Sequence, residues 1–136
     1  IDPIQVAQRT ARTETFADNC TEDWTKKWTL DGLKAEIAHD ASGMSFTAGP
    51  VPQEQASHAV LWTKDSFAGD IKIEYEFTRL DDATKYVNIL YIQATGSGEG
   101  PYAKDISQWA QLREIPWMKT YFNNMDTYHI SYAAYG

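Results

Sequence analysis

The chain has 136 residues and a formal net charge of −7, from 12 Lys and Arg against 19 Asp and Glu. This length fits one domain, and we treat residues 1–136 as a single unit. The negative charge and the lack of a basic patch argue against nucleic acid or an anionic membrane as a partner. No apolar run reaches the roughly 20 residues that a transmembrane helix needs.

The predicted elements are mostly strands. Residues 1–12 show no sustained period and predict an arm laid over the domain. The clearest strand is 70–79, where apolar and polar residues alternate with a period of two. Residues 87–95 are β-branched and aromatic on both faces, which is typical of a central strand. Weaker strands are predicted at 13–17, 35–39, 44–48, 58–63 and 128–135.

One insertion interrupts this strand pattern. Glycines at 96, 98 and 100 begin it, and residues 104–113 then place apolar side chains at helical spacing up to Ile115-Pro116. An excursion of about 30 residues between strands is unusual in a compact domain, and such loops are commonly functional. We therefore predict that 96–125 is a lid over the sheet.

Strands at this spacing predict an antiparallel sandwich or barrel. The strands are few for a ligand-binding jelly roll, because ordering 136 residues costs on the order of 200 kcal/mol. We expect the chain to be the N-terminal part of a larger domain, incomplete at its C-terminus, or to be completed by a second chain.

Several stretches resemble the YesU-like family: 58–64, 69–75, 88–94, 120–125 and 128–132. The resemblance spans roughly 16–135 and looks like the first two thirds of such a domain. It implies an all-β, antiparallel jelly-roll sandwich, concanavalin- or galectin-like, with one helical loop insertion. It also implies a secreted or periplasmic bacterial protein that acts on a polysaccharide or oligosaccharide, such as rhamnogalacturonan. No catalytic residues come with it.

Concanavalin-like hydrolases use a Glu-x-Asp-x-(x)-Glu strand whose carboxylates share one face. This chain lacks that motif. Glu74 and Glu76 do share a face, but they alternate with apolar residues and read as a solvated surface. A glycoside hydrolase is therefore an alternative, and a polysaccharide lyase acting on uronic-acid glycans is favoured.

A lyase needs a base, an acid for the leaving oxygen and a group that neutralises the uronate carboxylate. His129 is the predicted base, Tyr91 or Tyr121 the acid, and Gln93 or Asn123 the neutralising amide. The pieces 91–93 and 121–123 are similar to the Gln-x-His and Tyr-Phe-Lys motifs of alginate-lyase-like jelly rolls, without the His and the Lys. Ordinary sheet packing is the alternative role for the tyrosines and the histidine.

Five further residues are predicted to contact the glycan. Arg113 either complements the helix dipole or clamps a sugar carboxylate. Trp109 and Trp117 either stack on sugar rings or hold the insertion down. His58 and Tyr132 complete the predicted binding set. If these side chains bind a glycan without catalysing proton transfer, the protein is a non-catalytic glycan-binding module. A third alternative is an interaction domain that binds no sugar.

We predict no cofactor and no metal centre. The three histidines and the single Cys20 have no metal-ligand spacing. A structural Ca²⁺ held by loop carboxylates such as Asp18, Asp40 or Asp70 would be unsurprising in a sandwich.

Overall fold

A computed structural model describes residues 13–132. Over these residues the chain forms six strands, one α-helix and three 3₁₀ helices. The strands are β1 (Trp28–Asp31), β2 (Glu36–Asp40), β3 (Gly43–Thr47), β4 (Val60–Thr63), β5 (Asn88–Gly96) and β6 (Met125–Tyr132). The α-helix is α1 (Met118–Asn124), and the 3₁₀ helices are Trp24–Lys26, Gln55–Ser57 and Ile106–Arg113.

The strands pair into small antiparallel sheets. β1 pairs with β4, β2 with β3, and β5 with β6, so that each sheet has two strands within residues 13–132. The β5–β6 pair is the longest, running from Asn88↔Tyr132 to Gly96↔Met125. The fold is therefore β-rich with few helices, and its assembly into a jelly-roll sandwich stays a prediction.

Several predicted strands are confirmed within a few residues. β2, β3, β4 and β5 coincide with the predictions at 35–39, 44–48, 58–63 and 87–95. β6 begins at Met125, three residues before the predicted start, and the rest of that prediction at 133–135 lies outside the described residues, as does the arm at 1–12. β1 was not predicted, because its four residues run directly into the turn signal Asp31-Gly32.

Two predicted strands are wrong: 13–17 and 70–79 form no regular structure. Alternation separates an apolar from a polar face, but a strand also needs a ladder partner for its N–H and C=O groups. No such ladder forms here, and Ile73, Tyr75 and Phe77 remain 45%, 53% and 46% exposed. The central position expected for 87–95 is also not observed, since β5 has β6 as its one ladder partner among the described residues.

The buried apolar core of the described residues consists of Trp109, Tyr121 and Met125. The first two lie in the insertion between β5 and β6, and Met125 is the first residue of β6. Partly buried side chains of β4 and β5, including Trp62 and Tyr91, pack against this core. The segment 96–125 therefore supplies the best-packed side chains of the structure.

The predicted helix at 104–113 is a 3₁₀ helix that begins at Ile106, with Asp105 Oδ1 accepting from the Ser107 N–H at 2.9 Å. It is interrupted at Trp109, whose φ and ψ are −128° and 30°. Helix α1 follows Pro116 and was not predicted. No helix within residues 13–132 combines the length and the hydropathy that a membrane crossing requires.

Gly96 tests how tightly the insertion is joined to the sheet. A Cβ at this position would lie 1.9 Å from the Ala103 carbonyl oxygen, so we expect Gly96→Ala to lower the free energy of unfolding by about 3 kcal/mol. Gly100→Ala is the control, because its φ is +54° and nothing lies within 4 Å; it should cost only about 1 kcal/mol. Urea denaturation measures both, and equal losses would contradict the close approach.

Candidate functional site

Asp31, the last residue of β1, is the centre of a buried polar cluster. It is 2% exposed, and one of its carboxylate oxygens, Oδ2, accepts three hydrogen bonds. The donors are the Trp62 indole N–H at 2.8 Å, the Arg113 Nε at 2.7 Å and the Tyr121 hydroxyl at 2.8 Å. A buried charge is strongly unfavourable without such partners, and these three donors account for its burial.

Arg113 is the cation of this cluster. It ends the 3₁₀ helix at 106–113 and is 2% exposed. Besides Asp31, it donates from Nη1 to the Ile106 carbonyl at 2.8 Å, and its guanidinium carbon lies 4.5 Å from the Trp109 ring centroid. Two of its nitrogens are therefore bound within the protein. Through its bond to Asp31, Arg113 holds the insertion to β1.

Three aromatic rings stack beside this ion pair. Tyr91 of β5 lies 5.6 Å from Trp62 and 6.0 Å from Tyr121, measured between ring centroids, with interplanar angles of 16° and 9°. Because two of the rings are fixed by hydrogen bonds to Asp31, the stack also fixes the plane of Tyr91. The Asp31 cluster thus positions a tyrosine that does not itself bond to Asp31.

His129 of β6 is directly opposite Tyr91 in the β5–β6 ladder. Directly paired residues project from the same face of a sheet, and the two rings are 6.5 Å apart. His129 is exposed and Tyr91 is partly buried, and this burial raises the pKa of the Tyr91 phenol. The phenol therefore keeps its proton at neutral pH, next to an imidazole that water can reach. The structure brings together two of the predicted catalytic residues here.

The third predicted acid or base, Tyr121, has a different setting. It is 2% exposed and its hydroxyl donates to Asp31. Burial, together with the Asp31 charge, raises the pKa of this phenol far above its ordinary value. Tyr121 therefore contributes its ring to the stack and its proton to the internal hydrogen bond.

The two predicted amides lie elsewhere. Gln93 is at a β-bulge of β5, and its Nε2 donates to the Gly69 carbonyl at 2.7 Å. Asn123 is exposed on α1. In the described part of the chain, neither amide hydrogen-bonds to Tyr91 or His129.

The remaining predicted aromatics divide between core and surface. Trp109 is 1% exposed and its indole N–H donates to the Ala103 carbonyl at 2.9 Å. Trp117 is 46% exposed, and the Lys119 ammonium lies 5.5 Å from its ring. Trp109 therefore holds the insertion in place, whereas Trp117 presents part of its ring to solvent.

His58 and Tyr132 lie away from the pair formed by Tyr91 and His129. The Nδ1 of His58 is 3.2 Å from the Pro116 carbonyl oxygen, which joins the start of β4 to the insertion. Tyr132 projects from the opposite face of β6, where it packs edge-on against Phe77. Burial and a hydrogen bond with Tyr75 raise the pKa of Tyr132 to about 12.

Asp31 and Trp62 are not recognisable as site residues from the sequence. Asp31-Gly32 reads as a turn, and Trp62 reads as one of several strand aromatics. Their partners are up to 90 residues away along the chain, as in the bond between Asp31 and Tyr121. No local spacing signals such a cluster.

Comparison with known proteins adds no relative. No family model matches the chain, and neither a curated protein nor a solved structure matches it. Within residues 13–132, no three side chains of His, Cys, Asp or Glu are grouped so as to hold one metal ion. The chemistry of the site is therefore argued from its geometry.

Replacing Asp31 tests the central ion pair. Asp31→Asn keeps the side-chain volume but leaves the Arg113 charge buried without a counter-ion, so we expect a loss of about 3–5 kcal/mol in the free energy of unfolding. Glu74→Gln is the matched control. It removes the exposed pair between Glu74 and Lys72, 2.8 Å apart, and should cost less than about 1 kcal/mol. Equal effects in urea denaturation would contradict the role of Asp31.

We expect the Tyr121 phenol to make the free energy of unfolding fall at alkaline pH. Its pKa is higher in the folded than in the unfolded chain, where it is close to 10.0. Above pH 10 the folded state therefore keeps a proton that the unfolded state loses. The contribution of the protonated phenol to the free energy of unfolding is complete below pH 10 and declines as the pH rises beyond it. Tyr121→Phe has no such proton, and its unfolding free energy should fall less steeply above pH 10. Parallel slopes for the two proteins would contradict this.

Proposed function

We propose that the protein acts in polysaccharide breakdown as a lyase on uronic-acid-containing glycans, and that Tyr91 and His129 carry the reaction. The observation that supports this most directly is their pairing across β5 and β6, because a phenol and an imidazole then share one face. The resemblance to the YesU-like family supports the choice of a glycan as substrate and of a location in the periplasm or outside the cell.

In the proposed reaction, the His129 imidazole removes the proton on C5, which is α to the uronate carboxylate. The electron pair of that C–H bond forms the C4=C5 double bond, and the bond between C4 and the glycosidic oxygen breaks. The leaving oxygen takes the proton of the Tyr91 phenol, which is later restored from His129 or water. Because burial raises the pKa of Tyr91 from an ordinary value that is already high, the phenol carries its proton at neutral pH, as a proton donor must.

The proposed fold is a concanavalin- or galectin-like jelly-roll sandwich, with further strands supplied by a longer chain or by a second chain. Two-stranded sheets are marginally stable in water by themselves. The apolar side chains at 73, 75 and 77 are about half exposed, and further strands would cover them. These observations support additional strands without identifying their source.

A non-catalytic glycan-binding module is the second candidate. It is favoured by the position of Arg113, whose Nε and Nη1 are bound to Asp31 and Ile106 inside the protein. A lyase must neutralise the uronate carboxylate, but the Nε and Nη1 of this guanidinium and the Nε2 of Gln93 are already hydrogen-bonded within the protein. A module that binds glycans without cleaving them has no such requirement.

The two candidates differ in product formation. With polygalacturonate, rhamnogalacturonan or alginate, the lyase yields an unsaturated product that absorbs in the ultraviolet. We expect His129→Ala and Tyr91→Phe each to lower kcat by about 100-fold or more. His39→Ala, at an exposed histidine of β2, is the control and should retain full turnover.

Each alternative result has a defined meaning. Wild-type protein that binds one of these glycans but forms no unsaturated product would overturn the lyase and leave the binding module. Full activity in His129→Ala would remove His129 as the base. Near-ultraviolet circular dichroism establishes that each variant is folded before its turnover is compared.

A further inference from the structure

An open pocket lies beside the irregular part of the β5–β6 ladder. Its volume is about 480 Å³, and it is lined by Gln93, Thr95, Met125, Asp126, Thr127 and Tyr128. This volume lies within the range of small-ligand sites. Neither Tyr91 nor His129, the two residues proposed for the lyase reaction, lines this pocket.

A β-bulge shapes this pocket. The register of β5 and β6 shifts between Ile92 and Thr95, so that Gln93 and Ala94 together oppose Thr127. Gln93 has a φ of +52°, which is uncommon for a residue other than glycine. Two hydrogen bonds hold the region: Gln93 Nε2 donates to Gly69, and the Thr127 hydroxyl donates to the Ile92 carbonyl at 3.0 Å. Bulges of this kind redirect side chains and are frequent beside functional sites.

The pocket combines an exposed aromatic ring with polar groups. Tyr128 is 72% exposed, which is unusual for a tyrosine in the middle of a strand. Asp126 lies two residues before it on the same face, about 7 Å along the strand. Thr95 is directly opposite Asp126 in the ladder and projects from that face as well. Among the described residues, the hydroxyls of Thr95 and Tyr128 have no hydrogen-bond partner within the protein.

The charge of the pocket selects its ligand. Asp126 contributes a carboxylate whose Oδ2 is 3.4 Å from the Lys104 ammonium, and both side chains are largely exposed. A carboxylate accepts strong hydrogen bonds from hydroxyl groups, and its pairing with Lys104 leaves the two side chains with no net charge to attract an ionic ligand. An exposed tyrosine ring offers a flat apolar surface to the C–H face of a sugar. These groups together suit an uncharged sugar ring with adjacent hydroxyls.

We propose that this pocket is a binding site for a neutral pyranose of a glycan chain. Tyr128 stacks on the sugar face, Asp126 accepts hydrogen bonds from its hydroxyls, and the Thr95 hydroxyl and the Gln93 carbonyl oxygen lie at the rim. The class of ligand rests on the proposed carbohydrate function, but the site does not depend on proton transfer by Tyr91 and His129. In this proposal it holds a neutral sugar of a mixed glycan while the uronic-acid sugars bind at Tyr91 and His129.

Isothermal titration of the full chain tests this site with three uncharged probes, xylohexaose, cellohexaose and mannohexaose. We expect at least one to bind, and Tyr128→Ala and Asp126→Asn each to raise its Kd by about tenfold. Tyr128→Phe keeps the ring and should retain most of the affinity. Tyr86→Ala is the control, since Tyr86 is 50% exposed and lies outside the pocket.

Three results would overturn the site: no binding of the three probes, a Kd for Tyr128→Ala within about twofold of the wild type, or equal weakening by Tyr86→Ala. Binding of hexagalacturonate through Tyr128 and Asp126 would overturn its preference for neutral sugars. His129→Ala separates this proposal from the lyase, because it should abolish the unsaturated product and leave binding of the neutral probe unchanged.

Discussion

The described structure depends on one carboxylate oxygen. Asp31 Oδ2 receives donors from β4, from the end of the 3₁₀ helix at 106–113 and from α1. These elements are joined to β1 by few other hydrogen bonds, apart from the β1–β4 ladder. A charge–charge contact in a buried setting is costly unless every partner is present, so the four groups are held as a unit. Together with the buried rings of Trp109 and Tyr121, this cluster explains why the insertion packs against the sheet.

The Asp31 cluster also decides which side chains can take part in the proposed chemistry. Trp62 and Tyr121 are oriented by Asp31, and they in turn hold the ring of Tyr91 by stacking. Tyr91 is the point at which this internal network meets a residue in contact with water, His129. Arg113 and Tyr121 are polar groups that would suit a glycan, but their positions make them supports of the site. Among the side chains predicted to contact a glycan, Trp117 and Asn123 in the insertion and His129 on β6 are exposed.

Local signals in the sequence predicted most of the strands and few of the tertiary contacts. β2 and β3 are joined by a two-residue turn after Asp40, whose Oδ1 accepts from the Ser42 N–H, and such turns are recognisable from neighbouring residues. Tyr91 and His129 were predicted individually from their strands, whereas their register depends on a bulge that no spacing indicates. The alternation at 70–79 was genuine but insufficient, because a strand also requires a backbone partner. Asp31 was missed because its partners are 31 to 90 residues away.

The bulge at Gln93 and Ala94 divides the β5–β6 ladder into two stretches. On the side of Tyr91 the sheet is joined to the aromatic stack, so its side chains are fixed by the core. Beyond the bulge the ladder resumes at Thr95 and Asp126 with an altered register, and the exposed side chains there belong to no packed cluster. A straight ladder would continue one pattern of alternation along both strands. The bulge therefore separates the stretch in which Tyr91 stacks against the core from the stretch in which Thr95 and Asp126 are exposed.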